Sequence, residues 1–174
     1  MADIQERKGI LTLKGNPVTV LGPELKVGDG APAFTVYKGL GAAVESGEFD
    51  GKTRFISVVP SLDTGICDAQ TKRFNDEAAK AAGVAWLTIS VDTPMAQGRW
   101  CGAAGAQNIK VLSDYMDHSF GLAFGVYVKE LGVLQRSIFI IGPDNKVKYV
   151  QRVPEIAQHP DYDAALAELK KVAG

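Results

Sequence analysis

The sequence predicts an α/β chain with a central mixed sheet, flanking helices and an N-terminal β-hairpin, and three observations carry that expectation. Two short apolar runs rich in β-branched residues, 53–59 and 84–91, each give way to a segment of helical spacing. Such a β-α-β-α alternation implies parallel strands joined by right-handed crossovers. Later, residues 136–141 and 146–151 flank Gly142-Pro143-Asp144-Asn145, turn chemistry that joins two strands as an antiparallel pair. Near the start, residues 10–21 form two apolar stretches about Lys14-Gly15-Asn16-Pro17, a hairpin signal.

Taken in order, the hairpin at 10–21 leads through a loop containing Gly22-Pro23 and Gly28-Asp29-Gly30-Ala31-Pro32 into Phe34-Thr35-Val36-Tyr37. Gly39-Leu40-Gly41 opens like a dinucleotide fingerprint, but the sixth position is Val44 and no strand-to-helix context surrounds it, so it is set aside. Residues 53–59 read as the central buried strand. A long helix is expected over 64–82, with Asp63 and Thr64 as capping side chains and Cys67, Thr71, Phe74, Ala78 and Ala81 along one face, ended by Gly83. After the strand at 84–91, Asp92-Thr93-Pro94 starts a second helix with proline in its first turn. Residues 110–113 read as a short strand and 118–124 as a brief helix. The antiparallel pair follows, and an amphipathic helix over 161–172, marked by Tyr162, Leu166, Leu169 and Val172, closes the chain. A βαβ half followed by a ββα half with an added hairpin is a thioredoxin-like fold. The length of 174 residues suits one domain over 1–174, a size at which about 70% of the unfolded surface is buried.

Composition excludes several classes. With 46% apolar residues, 22% charged and a formal net charge of −1, the chain carries no basic footprint for nucleic acid and no acidic tail. The polar start, Met1 to Lys8, has no apolar signal core, and no run of eighteen apolar residues occurs, so a cytoplasmic, unanchored protein is expected. Two cysteines do not make a disulfide framework of the secreted kind. Two histidines, His118 and His159, without a Cys-x-x-Cys argue against a zinc site. In such a chain the cysteines are either buried filler or redox groups.

Cys67 falls where the central strand, stopped by Pro60, gives way to a helix. Free N–H groups and the macrodipole at a helix start favour a thiolate, so a lowered thiol pKa is expected there. Ionisation alone raises reactivity only some tens of times, about 2 kcal/mol or less. Catalysis would need further groups that align a substrate and stabilise the leaving atom, and Thr64 is the nearest. Cys101 lies thirty-four positions beyond Cys67, so a bond between them closes a large loop. A permanent bridge of that size is worth roughly 3–4 kcal/mol, but it would have to survive a reducing compartment; a transient disulfide and a buried hydrophobe are the alternatives. Arg136 opens a strand of one serine and four apolar residues, where a guanidinium is either a snorkelling edge group or the partner of an anion.

Pro60, Thr64 and Cys67 match the Pro-x-x-x-Thr-x-x-Cys motif of the peroxiredoxins, and Pro60-Ser61-Leu62-Asp63-Thr64-Gly65-Ile66-Cys67 resembles their thiol peroxidase branch, of the atypical two-cysteine kind. Ala96-Gln97-Gly98-Arg99-Trp100-Cys101-Gly102 resembles the Ala-Gln-x-Arg-aromatic-Cys-Gly pattern of that branch's helix with the resolving cysteine, with Gly98 and Trp100 this chain's own choices. The resemblance runs from the hairpin to the last helix. It implies a peroxidatic Cys67, a resolving Cys101, and Thr64, Arg136 and Pro60 completing the site. It further implies reduction of hydrogen peroxide and organic hydroperoxides through an intramolecular Cys67–Cys101 disulfide, thioredoxin as reductant, a homodimer, and no metal or organic cofactor. A thiol–disulfide oxidoreductase on the same fold and a peroxide-sensing redox switch are the rival functions.

Overall fold

The computed structural model describes residues 3–174; Met1 and Ala2, the first residues of the polar start, lie outside it. The main sheet has seven strands: β3 (Thr35–Gly39), β4 (Ala42–Glu45), β5 (Thr53–Val58), β6 (Val84–Ser90), β7 (Lys110–Ser113), β10 (Ser137–Ile141) and β11 (Val147–Arg152). Their order is β11-β10-β5-β6-β7-β3-β4. β5, β6 and β7 run parallel, in register from Thr53 opposite Val84 and from Leu87 opposite Lys110, and the other pairings are antiparallel. This is the expected mixed sheet of the thioredoxin-like arrangement.

A second, four-stranded sheet carries the hairpin: β1 (Glu6–Leu13), β2 (Asn16–Leu21), β8 (Tyr127–Val128) and β9 (Val133–Leu134), all antiparallel. The hairpin therefore begins at Glu6, before the expected 10–21 boundary. Its first strand is polar and exposed on this stretch, and a register shift between Arg7 and Leu11, with Gly9 at φ +74°, hides the alternation by which a strand is recognised.

Each face of the main sheet has its own core, because successive strand residues point to opposite sides. On one face Ile56, Val58, Leu87, Ile89 and Phe139 pack with Phe34, Phe120 and Phe124. On the other, Phe55, Trp86, Ile138 and Ile140 meet Phe74 of α1 (Gly65–Ala78) and Leu169 of α4 (Tyr162–Ala173). α2 (Pro94–Ala104) starts as expected, with Pro94 in its first turn and the Thr93 hydroxyl accepting from the Ala96 N–H. α1 stops at Ala78, short of the expected 82, because the chain tightens there into successive i→i+3 turns, Lys80 N–H to Glu77 O and Ala81 N–H to Ala78 O. α3 (Ser119–Ala123) is the brief helix. Gly39-Leu40-Gly41 is the tight connection between β3 and β4.

The hairpin sheet is fastened to the main body where residues 22–23 cross the end of α3. Gly22 (φ +103°) and Gly125 (φ +63°) meet backbone on backbone: a Cβ on Gly125 would stand 1.9 Å from the Pro23 carbonyl oxygen, and one on Gly22 2.2 Å from that of Leu122. Arg7 seals the crossing by donating to the Gly22 and Gly125 carbonyls. Gly125→Ala is expected to destabilise the fold by about 2–4 kcal/mol, since both the strained φ and the clash fall on backbone that has nowhere to go. Chemical denaturation measures it, and an unchanged midpoint would contradict the crossing.

Candidate active site

Cys67 is placed by local sequence. β5 is buried on both faces and ends at Val58, followed by Val59 and Pro60, both buried; residues 61–64 turn, and α1 begins at Gly65 with Cys67 in its first turn. Thr64 is the residue before the helix, in extended conformation. Its side chain does not cap α1 as expected: the hydroxyl donates to the Ser61 carbonyl at 3.1 Å, and Thr64 is exposed. The Asp63 side chain does not cap it either. The first-turn N–H groups of α1 are thus available to an anion rather than consumed by a cap.

The loop is pinned instead by Asp92. Its carboxylate accepts from the Ser61 hydroxyl at 2.7 Å, the Leu62 N–H at 2.8 Å and the Ser90 hydroxyl at 2.7 Å. Ser90 in turn accepts from the Gln97 amide, which also donates to the Leu112 carbonyl. One carboxylate at the end of β6 therefore fixes the approach to Cys67.

Arg136 comes to the same place through sheet register. Ser137 pairs with Val58, so the residue before it lies beside the end of β5. Arg136 is 2% exposed, and its guanidinium donates from Nη1 to the Cys67 sulfur at 3.4 Å and to Gln70 Oε1 at 2.9 Å, and from Nη2 to the Ile156 carbonyl at 3.1 Å. Gln70, fully buried, donates on to the Ser57 hydroxyl at 2.8 Å. No carboxylate pairs with Arg136 among the described residues. A buried cation without a counter-charge is costly, and the nearby group able to supply one is the sulfur, which is fully buried. The site can therefore hold a thiolate and present a guanidinium to charge developing beside it.

The geometry unites Cys67, Arg136 and Pro60's loop, and leaves the Thr64 hydroxyl turned to its own backbone. Cys101 stands apart on α2, half-buried and unbonded. Gln70 and Ser57 escaped sequence reading, although both carried a signal. Gln70 is three positions after Cys67, on the face lined by Thr71 and Phe74, and Ser57 interrupts an apolar strand. Tyr162 of α4 also lies near: burial raises the pKa of its phenol, and the Arg136 and Arg73 cations lower it. His118 and His159 bond to the Asp114 carbonyl and the Tyr162 hydroxyl, and neither bonds to the sulfur. No three potential metal ligands cluster among the described residues, and none of the described helices is long and apolar enough to cross a membrane.

Burial pushes the Cys101 thiol pKa up. In a Cys67→Ser protein, alkylation of Cys101 by iodoacetamide is expected to be slow at pH 7 and to keep climbing above the pH where an ordinary cysteine levels off. A plateau at the ordinary thiol pKa would contradict that environment.

The fold and the site together define a thiol-dependent α/β enzyme class, and comparison with known proteins narrows it. The Redoxin family model matches residues 26–166. Thiol peroxidases of Halalkalibacterium halodurans and Bacillus subtilis are 52% and 51% identical to the chain over 160 residues, 92% of this chain and 96% of each relative. The crystal structure of a peroxiredoxin-like protein from Aquifex aeolicus superposes with a TM-score of 0.88 at 40% identity, covering 98% of this chain and 99% of that one. A thiol peroxidase from Chromobacterium violaceum shares the fold at a TM-score of 0.81 and 20% identity, covering 92% and 95%. The chain belongs to the Redoxin family and, within it, to the thiol peroxidase branch of the peroxiredoxins.

Proposed function

We propose that the chain reduces hydrogen peroxide and organic hydroperoxides to water and alcohols, with Cys67 as the attacking sulfur. The observation that carries this reading is the Arg136 guanidinium, buried without a carboxylate and 3.4 Å from the Cys67 sulfur. The Cys67 thiolate attacks the terminal peroxide oxygen; the O–O bond breaks, the sulfur keeps that oxygen as a sulfenic acid, and the other oxygen departs as alkoxide or hydroxide and takes a proton. Arg136 holds the thiolate form and stabilises charge on the departing oxygen. Pro60 walls the sulfur from water. Thr64, exposed at the rim, orients the peroxide once its hydroxyl turns from the Ser61 carbonyl.

Cys101 then condenses with the sulfenic acid, forming an intramolecular disulfide and releasing water. Both cysteines are on helices, Cys67 in the first turn of α1 and Cys101 within α2, so the bond requires one or both to unwind locally. A reduced thioredoxin resets the pair by dithiol exchange. The enzyme works in the cytoplasm as a homodimer of single-domain chains, with sulfur carrying the electrons and no cofactor needed.

The test is the intact mass of reduced protein before and after one equivalent of hydrogen peroxide, with peptide mapping. Loss of two hydrogens, mapped to Cys67–Cys101 within seconds, is expected. An unchanged mass with both thiols titratable would overturn the proposal. Sub-stoichiometric consumption of peroxide in the presence of thioredoxin and its reductase would turn it toward a redox switch. A Cys101→Ser protein that still consumes peroxide with an added thiol excludes a dithiol oxidoreductase.

A further inference from the structure

The residue after Cys67 is bonded to the residue before Cys101. Trp100 of α2 donates its indole N–H to Asp68 of α1 at 2.9 Å. The same carboxylate holds Lys72 at 2.9 Å through its other oxygen, and these bonds keep Asp68 below the usual carboxylate range. The Trp100 ring packs on the cluster formed by Val59, Leu62 and Cys67. Successive side chains of an α-helix point about 100° apart around its axis. While Trp100 packs on the Cys67 cluster, Cys101 projects about 100° around the helix axis from it and is not part of that cluster. The two flanking residues clasp each other, and the two sulfurs they flank do not meet.

We propose that the Asp68–Trp100 hydrogen bond is a clasp that holds α1 and α2 in the arrangement where Cys67 reacts with peroxide, and that its opening limits the rate at which Cys101 resolves the sulfenic acid. The proposal rests on the roles assigned above to Cys67 and Cys101. Turning or unwinding α2 to bring the Cys101 sulfur inward carries Trp100 off the cluster and breaks its bond to Asp68. The step it gates is balanced within the chain. The Cys67 S–O bond breaks, the S–S bond forms, and the oxygen leaves as water with the Cys101 proton. The Cys67 sulfur is reduced by one electron equivalent and the Cys101 sulfur oxidised by one. Asp68 and Trp100 are positioning residues: they hold the two helices together and take no part in the bonds made and broken.

The test is a rapid-quench experiment on the full chain, trapping sulfenic acid at Cys67 with dimedone and counting the Cys67–Cys101 disulfide by mass. Trp100→Phe keeps an aromatic ring on the cluster and deletes only the donor; Asp68→Ala deletes the acceptor from the other side. Each is expected to speed disulfide formation about threefold to tenfold, and to lower the fraction of Cys67 driven to sulfinic acid by excess peroxide. Trp100→Phe is expected to leave the first oxidation of Cys67 at its original rate. The double variant is expected to be no faster than either single one, because the same bond is lost in each. A mere packing role would give additive effects. Disulfide formation that is unchanged or slower in both variants, or additive acceleration in the double variant, overturns the clasp. Absence of any sulfenic acid at Cys67 in the unsubstituted protein overturns the proposed function itself, and the clasp's role with it. If Trp100→Phe does not fold, Asp68→Ala, on the half-exposed side of the contact, decides the direction alone.

Discussion

Replacing Arg136 by methionine is expected to lower the rate constant for oxidation of Cys67 by hydrogen peroxide about 10²- to 10³-fold, the usual loss when a preorganised donor is taken from developing negative charge. The donor is fixed in advance. Sheet register sets its Cα, and Gln70 and the Ile156 carbonyl hold its fork, so on the proposed mechanism no reorganisation would be needed as charge develops beside it. Stability should change far less. The substitution removes a buried cation that has no carboxylate, which favours the variant, and it orphans Gln70 Oε1, which does not. The two effects offset to within about 2 kcal/mol. Arg136→Lys keeps the charge but loses the two-pronged hold on Gln70 and Ile156, and should fall between the two. Stopped-flow oxidation and chemical denaturation on the same samples check both halves. A rate within threefold of the original, or unfolding of the methionine variant, would refute this account of the site.

The second large effect is on stability and its pH dependence. Asp114 is 1% exposed, and its carboxylate accepts from the Phe120 and Gly121 N–H groups at 2.9 and 2.8 Å, serving α3 in place of His118, whose side chain makes no cap. Burial nevertheless wins over those two bonds and raises its pKa from 3.8 to about 6. The fold therefore binds a proton more tightly than the unfolded chain does. Its contribution is fully present below about pH 4 and is lost as pH rises through 6, a swing of up to about 3 kcal/mol at ~1.4 kcal/mol per unit. An Asp114→Asn protein lacks this titration. The stability difference between the two proteins is expected to move in favour of asparagine by about 1–3 kcal/mol between pH 4 and pH 7.5, measured by denaturant midpoints. Parallel profiles would show that the carboxyl is not held in the way described.

How much of this was legible beforehand depended on how local the determining physics is. The turn from strand to helix at Pro60–Cys67 was legible because Pro60 stops a β-branched run and an apolar stripe begins at once. β5, β6 and β10 were legible because burial on both faces leaves a largely apolar sequence, and β11, half-buried and interrupted by polar residues, was legible from the turn chemistry at 142–145 that joins it to β10. β4, β8 and β9 were not: strands of four, two and two residues are too short to show a period, and β8 in addition owes its place to a distant partner, Val128 opposite Val20. Asp63 and Thr64 were legible as capping types, but a hydroxyl has two uses, and the carbonyl of Ser61 took this one. Arg136 could be flagged as out of place in its strand, whereas its contact with a sulfur 69 positions away is a product of sheet order alone. Asp92, the residue that fixes the approach to Cys67, looked like the start of a helix and nothing more.

The order in which the chain leaves a ribosome gives the sheet topology a further meaning. The hairpin of β1 and β2 emerges first, yet its partner strand β8 lies near residue 128, and the crossing sealed by Arg7 needs Gly125. Cys67 likewise emerges long before Arg136. Closing such loops is entropically costly and comes late in folding. A nascent or partly folded chain thus presents Cys67 without Arg136 beside it, and the sulfur gains its cation when most of the chain has been made and β10 has paired with β5. On the role proposed for Cys67, the guanidinium's help toward a peroxide is thus available only once the fold is complete.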